Sequence, residues 1–527
     1  MRIEIQFPDS IETLVLPPDH AERRLSEILR SSNLPLNTRC GERDMCAGCT
    51  IELIEGAVAN LNDAALLQAQ TPQRRENSTP EPNTAIPQHL DTSALPNPPA
   101  PEEFRACQYR PAGETLVIRV PERARLTYAP QVLDSYRVNV PYARDPIAAG
   151  GIGIAIDIGT TTVALQAIDL ATGALDGKAS GFNKQMHFGD DVLTRINLCS
   201  TEPAMLAQLQ RAIVSETIQP LIAEAGIDPA RIACFAIAGN TTMLHLFTGE
   251  DPSPMGHAPF TPRFLERQPF PAGSIGLEPP DAPVVLLPSI AAYIGADLTA
   301  GLFASGLLYD EGPSLLVDVG TNGEILLRFG NHVSGCATAA GPAFEGSGLT
   351  CGIRAGDGAI SHIRFAPSEQ GAELKWERIG THGRPAGICG SAYVDLLAEG
   401  RRAGLLTSTG RFSSNRCHST STPQPLSAPA PQYLDTPSGK ALQIAKGQGN
   451  RPILVTESDV AKLLQAKAAV AAGILTLLSR HRLSPADVKT LYLAGGFGMH
   501  LDLGSAIACG LLPGFEVGQI QLVGNTS

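Results

Sequence analysis

The sequence predicts an α/β chain of several domains, with a small mixed sheet of the β-grasp kind first and a duplicated α/β unit after it. Three observations carry this. Short alternating strands surround one helix at the start, the texture then changes to apolar strands and Ala/Leu-rich helices with glycine turns, and one strand-turn-strand pattern occurs twice. At 527 residues, with roughly 100 to 200 residues per domain as a prior, three or four domains are expected. The 43% hydrophobic content allows a sizeable core.

In the first segment, 1–121, Ile3, Ile5 and Phe7 alternate with Arg2, Glu4 and Gln6, and Thr13 to Leu16 reads as a second strand. Ala21 to Ser31 places Leu25, Ile28 and Leu29 on one helical face. A cysteine loop then opens into the strand Thr50 to Ile54, and Leu116 to Val120 closes the sheet. Two stretches interrupt the pattern. The segment 72–101 contains eight prolines among polar residues, and 413–450 contains five more. Both compositions read as disordered insertions, because neither buries enough apolar surface to offset chain ordering. After a short linker, 122–149, two α/β domains are expected over 150–311 and 312–527. Near the end, Thr456 to Arg482 reads as an amphipathic helix opened by a Thr456/Asp459 capping box, leading into the strand Thr490 to Leu493.

Charge and composition exclude several classes. With 40 basic and 52 acidic residues the net charge is -12, which leaves no basic face for nucleic acid. The start MRIEIQFPDS has no basic and apolar leader, and no run reaches the roughly 18 uninterrupted apolar residues of a membrane helix. No membrane association is expected. Eleven scattered cysteines do not form a secreted disulfide framework, and a cytoplasmic location fits them best.

Cys40, Cys46 and Cys49 have the spacing C-x5-C-x2-C, and Cys107 lies far beyond them. Plant-type 2Fe-2S ferredoxins use C-x4-C-x2-C with a remote fourth cysteine, so this loop is one residue longer. Three ligands on a tight loop and one distant ligand suit two irons that each take two thiolates. A four-cysteine zinc site is the rival, although zinc ribbons usually show two close pairs and only Cys46 and Cys49 make one here. The other seven cysteines have no ligand spacing and read as small apolar residues.

Asp157-Ile158-Gly159-Thr160 and Asp318-Val319-Gly320-Thr321 each follow an apolar strand and precede another, about 160 residues apart. Glycine lets the backbone approach a phosphate closely, so amides and threonine hydroxyls can face its oxygens, while the aspartate suits Mg2+ through water. One such turn is weak evidence. A pair, in matching contexts, points to a nucleotide held between two halves. A pepsin-like protease would need Asp-Thr-Gly or Asp-Ser-Gly, which neither turn has. An electron-carrying segment joined to an ATP-holding one suggests a protein that uses nucleotide energy to reduce a difficult acceptor.

The repeated turns, Gly239-Asn240-Thr241-Thr242 and Ala494-Gly495-Gly496-Phe497-Gly498 resemble the phosphate, connecting and adenosine motifs of the acetate and sugar kinase, heat-shock chaperone and actin superfamily. TAAGPAFEGSGLTCGIRAGDGAI (338–360), ICGSAYVDLLAEG and QAKAAVAAGI resemble one branch of it, the reductive activators of corrinoid proteins, over essentially the whole chain. The resemblance implies an N-terminal β-grasp 2Fe-2S ferredoxin-like domain, a short linker domain and duplicated actin/hexokinase-like (ribonuclease H-like) ATPase domains. The implied activity is ATP-dependent one-electron reduction of a Co(II) corrinoid protein to Co(I), restoring a methyltransferase system. It further implies that Asp157 and Asp318 hold Mg2+, that Thr160, Thr161, Thr321, Asn322 and Gly323 cradle the phosphates, with Gly159 and Gly320 letting the backbone approach, that Asn240 and Thr241 of the connecting motif help bind the cofactor, and that Gly495 and Gly496 flank the adenosine. Cys40, Cys46, Cys49 and Cys107 become the cluster ligands. Glu324 and Glu345 are candidates for orienting an attacking water or are paired structural carboxylates, and Asp297 either assists at Mg2+ or caps its helix.

The expected partners are a corrinoid protein, since the chain lacks a D-x-H-x-x-G corrinoid motif, and an electron donor such as a ferredoxin, flavodoxin or reductase. The resemblance also implies a homodimer. Two other function classes stand beside this one: a redox-regulated small-molecule kinase, and a non-enzymatic redox sensor whose cluster gates nucleotide binding.

Overall fold

The computed structural model describes residues 1–7, 10–17, 22–32, 34, 36, 49–69, 102–121, 124, 147–148, 150–189, 191–320, 322–346, 348–368, 371–380, 383–413, 432–436, 439–447, 451–495 and 500–524. Two compact units divide it, Met1–Thr127 and Tyr128–Ser527.

The first unit is a mixed sheet with strands β1 (Arg2–Gln6), β2 (Ile11–Val15), β3 (Thr50–Asn60), β4 (Leu66–Gln68), β5 (Glu102–Arg105) and β6 (Tyr109–Arg119), crossed by helix α1 (Leu25–Ser31). The order is β2-β1-β6-β3-β4, with β5 also paired to β3. β1 runs parallel to β6 in the middle of the sheet, while β2 and β3 flank them antiparallel. The period-two pattern determines which side is covered: Ile3, Ile5, Ile51, Leu53, Leu116 and Ile118 join Leu25, Ile28 and Leu29 of α1 in one core. The helix starts at Leu25, later than the Ala21 expected, because only Leu25, Ile28 and Leu29 offer the sheet an apolar face. β3 and β6 each run to eleven residues, well past the short strands expected, because they pair along most of their length.

The second unit contains two sheets, of six and five strands, that share one five-stranded plan. In the first half, β7 (Ile152–Ile158), β8 (Thr162–Asp169), β9 (Leu175–Phe182), β10 (Ile232–Gly239), β11 (Gln268–Pro271) and β12 (Pro283–Leu286) have the order β11-β12-β10-β7-β8-β9. In the second, β13 (Ser314–Val319), β14 (Gly323–Phe329), β15 (His332–Thr338), β22 (Thr490–Ala494) and β23 (Ile520–Gly524) have the order β15-β14-β13-β22-β23. Each array is an antiparallel meander, β7-β8-β9 or β13-β14-β15, whose first strand also pairs with a parallel strand, β10 or β22. A further parallel strand follows, β12 or β23. The duplication legible in the two Asp-x-Gly-Thr turns therefore extends through five strands of each sheet, and β11 is an addition to the first.

Helices α2 (Val192–Thr201), α3 (Ala204–Ile213), α4 (Gln219–Glu224) and α5 (Thr241–Thr248) belong to the first half. Helix α6 (Ala296–Ser305) sits where the halves meet, its Leu298 and Leu302 packing with Leu316, Leu326 and Tyr492 of the second sheet. The second half carries a small sheet of β16 (Ala359–Ser368), β17 (Gly371–Arg378) and β18 (Gly387–Ile388), then α7 (Gly390–Arg402). Another sheet follows, formed by β19 (Gln432–Thr436), β20 (Gly439–Lys446) and β21 (Pro452–Thr456). Helices α8 (Glu457–Arg480) and α9 (Leu503–Ala508) complete the set.

β19 and β20 correct the reading of 413–450 as wholly disordered. Ala441 and Leu442 are buried, and β20 pairs with β21. The proline-rich average over the segment hides a short apolar run that needs a partner strand to become visible. The 72–101 segment lies outside the described residues, as does nearly all of 122–149. Helix α8 begins at the expected Thr456/Asp459 capping box. It is long and apolar enough by composition to cross a membrane, yet Val460, Leu463, Val470, Ile474 and Leu477 lie in the core of the second half.

Candidate nucleotide site and cysteine pair

Both Asp-x-Gly-Thr turns are hairpin tips at the ends of central strands. In the first, the Gly159 amide donates to the Thr162 carbonyl at 2.9 Å. In the second, the Gly320 amide donates to the Asn322 carbonyl at 2.9 Å. Asp318 lies directly across the hairpin from Glu324, so both side chains share one face of the sheet.

Asp157, Asp297, Asp318 and Glu324 converge, each half-buried. Desolvation and then the Asp157 charge push the Asp297 carboxyl up, with Asp318 adding to the effect. Asp318 is raised to about 7 by desolvation, Asp157 and Glu345 in turn. Glu324 is raised well above the carboxylate range by desolvation and by Asp297 and Asp318, against an opposing hydrogen bond from Asn322. Carboxylates that raise one another in this way would favour a divalent cation held through water, because among the described residues no three of them are arranged to ligate a metal ion directly. Asp297 does not cap α6: Gly295 occupies that position, and the Asp297 carboxylate accepts from the Leu298 amide within the first turn.

The first turn is braced from below. The Asn183 side chain donates to the Gly159 carbonyl at 2.9 Å and its amide to the Thr161 carbonyl at 2.9 Å. The fully buried Arg195 of α2 donates to the Thr160 carbonyl at 2.5 Å and to the Gly189 carbonyl at 2.9 Å. Asn240 caps α5 by accepting from the Met243 amide and donates to Thr160 Oγ1 at 3.0 Å, so the connecting motif touches the first turn directly. Because Thr160 Oγ1 accepts there, its own proton remains able to donate. Thr241, the next residue of the connecting motif, has its hydroxyl committed within the fold. Its hydroxyl donates to the Ala291 carbonyl at 2.6 Å, holding α5 to the segment before α6.

The two glycines of the turns have opposite surroundings. A Cβ on Gly159 would lie 2.5 Å from the Thr162 carbonyl oxygen, whereas one on Gly320 would meet nothing among the described residues nearer than 3.9 Å, where it would reach the Asn322 carbonyl and the Glu345 carboxylate. None of those residues crowds Gly320, as the cradle for an approaching phosphate requires. Gly323 opens β14 and is buried. Gly495 follows β22 with φ of 92°, and a Cβ there would fall 2.7 Å from Asp318 Oδ1, so the adenosine motif packs on the second aspartate. Glu345, in the turn Pro342–Glu345, is paired with Arg354 at 3.1 Å. Thr321 and Gly496 lie outside the described residues.

In the first unit, Cys49 immediately precedes β3, and Cys107 lies in the turn Ala106–Gln108 between β5 and β6. The pairing of Thr50 with Arg105 brings these segments together, and the Ala106 amide donates to the Cys49 carbonyl at 3.1 Å. Both cysteines are buried in the core beneath α1. The Gln108 amide group donates to Cys107 Sγ at 3.5 Å, the contact a metal-bound thiolate accepts. Cys40 and Cys46 lie outside the described residues. Among the described residues no group of three or more His, Cys, Asp or Glu is arranged to hold a metal ion. The described cysteines with a resolved shift, Cys199, Cys234, Cys336, Cys389 and Cys509, are all raised by burial, as small apolar residues would be.

Sequence reasoning missed Asn183, Arg195, Phe182 and Arg354. Arg195 sits among polar residues in LTRINLCS and reads as solvated. Only the fold shows that it lies beneath a phosphate turn.

Comparison with known proteins places this architecture. The family model for the RACo middle region matches residues 152–310, and that for the C-terminal domain of RACo, the ASKHA domain, matches 312–527. The chain belongs to the RACo family of reductive activators of corrinoid proteins. A solved RACo structure, a reductive activator for corrinoid, iron-sulfur protein, superposes with a TM-score of 0.63 at 28% identity, covering 99% of this chain and 91% of that one. The corrinoid activation enzyme RamQ of Eubacterium limosum is 32% identical over 387 residues, a match that spans 71% of this chain and 62% of RamQ. A [Co(II) methylated amine-specific corrinoid protein] reductase of Methanosarcina barkeri is 26% identical over 402 residues, 71% of this chain and 68% of that one. The residues matched by the ASKHA-domain model include the second sheet and its turn, and those matched by the middle-region model include the first.

Proposed function

We propose that this protein is an ATP-dependent reductase that returns a partner's Co(II) corrinoid to Co(I) by one-electron transfer, restoring a corrinoid-dependent methyltransferase system. The observation that carries the proposal is the β3–β5 register, which brings Cys107 beside Cys49 in a chain whose other unit belongs to the activator family. The order of the first sheet, with its last strand parallel to β1 and a helix crossing it, supports the ferredoxin-like β-grasp reading.

Cys40, Cys46, Cys49 and Cys107 would hold a 2Fe-2S cluster, and two buried cysteines joined across strands fit that donor set. When bound, the cluster supplies a one-electron relay, near roughly -400 mV for plant-type centres. Gln108 donates toward Cys107 and the α1 core excludes water from that side. Asp157 and Asp318 would hold Mg2+ with Asp297 beside them, and Thr160, Thr161, Gly320 and Asn322 would face the phosphates of ATP. Glu324, its carboxyl pushed up by burial and then by Asp297 and Asp318, would be the group to move a proton at the phosphate end of the site. Each ~59 mV of uphill one-electron transfer costs about 1.4 kcal/mol. Nucleotide therefore acts by favouring the protein state that binds the reducible form of the partner, to the extent of its differential affinity. The partner is a corrinoid protein, and the electrons come from a ferredoxin, flavodoxin or reductase.

The test is an anaerobic visible spectrum of a Co(II) corrinoid protein mixed with this protein and a weak reductant, with and without Mg-ATP. A Co(I) band that grows only with ATP and vanishes in Cys46→Ala supports the proposal. No Co(I) with any corrinoid protein encoded in the same genome, despite an intact cluster, removes it.

A further inference from the structure

The loop between β15 and β16, part of the 338–360 stretch, brings the candidate Glu345 together with residues that have no role assigned so far. Gly346 has a left-handed φ of 77°, and a Cβ on it would lie 2.5 Å from the Ile353 carbonyl oxygen. A Cβ on Gly352 would overlap the Gly346 carbonyl. The two glycines let the sides of the loop touch, and the flanking Glu345 and Arg354 consequently meet, with Arg354 Nη2 3.1 Å from Glu345 Oε2. Each side chain of this pair is 20% exposed. Glu345 in turn points to the second phosphate turn, where its Oε1 is the atom a Cβ on Gly320 would approach.

The other face of Arg354 reaches the first half of the repeat. Its guanidinium carbon lies 5.2 Å from the centroid of the Phe182 ring, a cation-π distance. Phe182 ends β9 and pairs with Thr162, the residue that opens β8 just after the first Asp-x-Gly-Thr turn. The next residue, Asn183, donates to the Gly159 carbonyl. A series of contacts thus runs from Gly159 through Asn183, Phe182 and Arg354 to Glu345, whose carboxylate faces Gly320 and acts on the charge of Asp318 in the other sheet.

We propose that Arg354 is a positioning residue that couples the two phosphate turns, holding Glu345 against the second and tying it, through Phe182, to the strand that braces the first. The inference rests on the nucleotide reading above. A planar guanidinium can pair and stack at once, which an ammonium cannot do equally well. Nucleotide bound between the turns then favours the arrangement in which Arg354 touches both partners, and loss of either contact removes the same coupling.

The test is a double-mutant cycle on the full chain, with affinity for a non-hydrolysable Mg-ATP analogue measured by calorimetry and the melting temperature of each nucleotide-free variant measured beside it. Arg354→Ala and Phe182→Leu are each expected to weaken binding about tenfold, or about 1.4 kcal/mol, and the double variant no more than either one. Phe182→Tyr, which keeps the ring, retains the affinity of the unmodified protein, and Arg354→Lys falls between the extremes. If Arg354→Ala does not fold, the cycle is read with Arg354→Lys. Losses that multiply to about a hundredfold in the double variant, or unchanged affinity in the single variants, overturn the coupling while leaving the nucleotide site standing. Absence of Mg-nucleotide binding by the unmodified chain removes both.

Discussion

At the scale of single residues, the two turn glycines separate structural need from chemical use. Gly159 is required by its own hairpin, whereas a Cβ on Gly320 would come only to ordinary van der Waals distance of the described residues around it. Gly320→Ala is therefore expected to change the melting temperature little, by the equivalent of about 0.5 kcal/mol or less, while weakening Mg-ATP binding at least about tenfold. An equal loss of both would show that Gly320 serves the fold alone. The carboxylates make a second prediction. Asp318 keeps its proton up to about pH 7 when folded but releases it near 3.8 in the unfolded chain. The folded state binds the extra proton, so its contribution to stability is complete below about 3.8 and is lost as pH rises toward 7. Melting temperatures measured in EDTA should fall between pH 5 and 7.5, and Asp297→Asn should flatten that slope by removing a raised neighbour. Mg2+ with nucleotide should restore the stability lost, with uptake that strengthens as pH rises. A pH-independent melting curve in EDTA would contradict the clustering of these groups.

At the scale of elements, the start of α8 was legible because a capping box is local. Thr456 and Asp459 exchange hydrogen bonds at 3.1 and 2.9 Å. The structure adds that the other Asp459 oxygen accepts from the Thr350 amide and hydroxyl at 2.9 and 3.1 Å, which anchors the loop carrying Glu345 and Arg354 to the helix. Thr456→Ala should cost about 1 kcal/mol as a lost cap. Asp459→Ala should cost more in denaturant titration, because it leaves the Thr350 donors without their acceptor. The strand β20 was not legible, since its pairing with β21 decides it and a proline-rich setting surrounds it. Leu442 is fully buried there, and Leu442→Ala should cost about 2 to 5 kcal/mol, against near-neutrality if the segment were solvated.

At the scale of the whole molecule, each unit has its own core, Ile3 to Ala124 in one and the two halves of the repeat in the other. Separate cores allow separate losses. Cys107→Ser is expected to abolish Co(I) formation and the visible absorption of the cluster while leaving Mg-ATP affinity within about twofold of the unmodified protein. Loss of nucleotide binding in that variant would mean that the first unit supports the second.

Determined by the sequence alone were the duplicated turns, the capping box, the cysteine spacing and the alternating strands, because each is written in neighbouring residues whose period or turn chemistry has few other uses. Asp157 and Asp318 could be paired in advance because the repeat itself relates them. Tertiary structure decided what those residues meet. Thr241 turns to the Ala291 carbonyl, Arg195 is buried beneath Thr160, Cys107 reaches Cys49 through strand register, and Arg354 bridges Glu345 and Phe182. Contacts between residues distant in the chain depend on sheet order and register, and no local pattern of side chains encodes either.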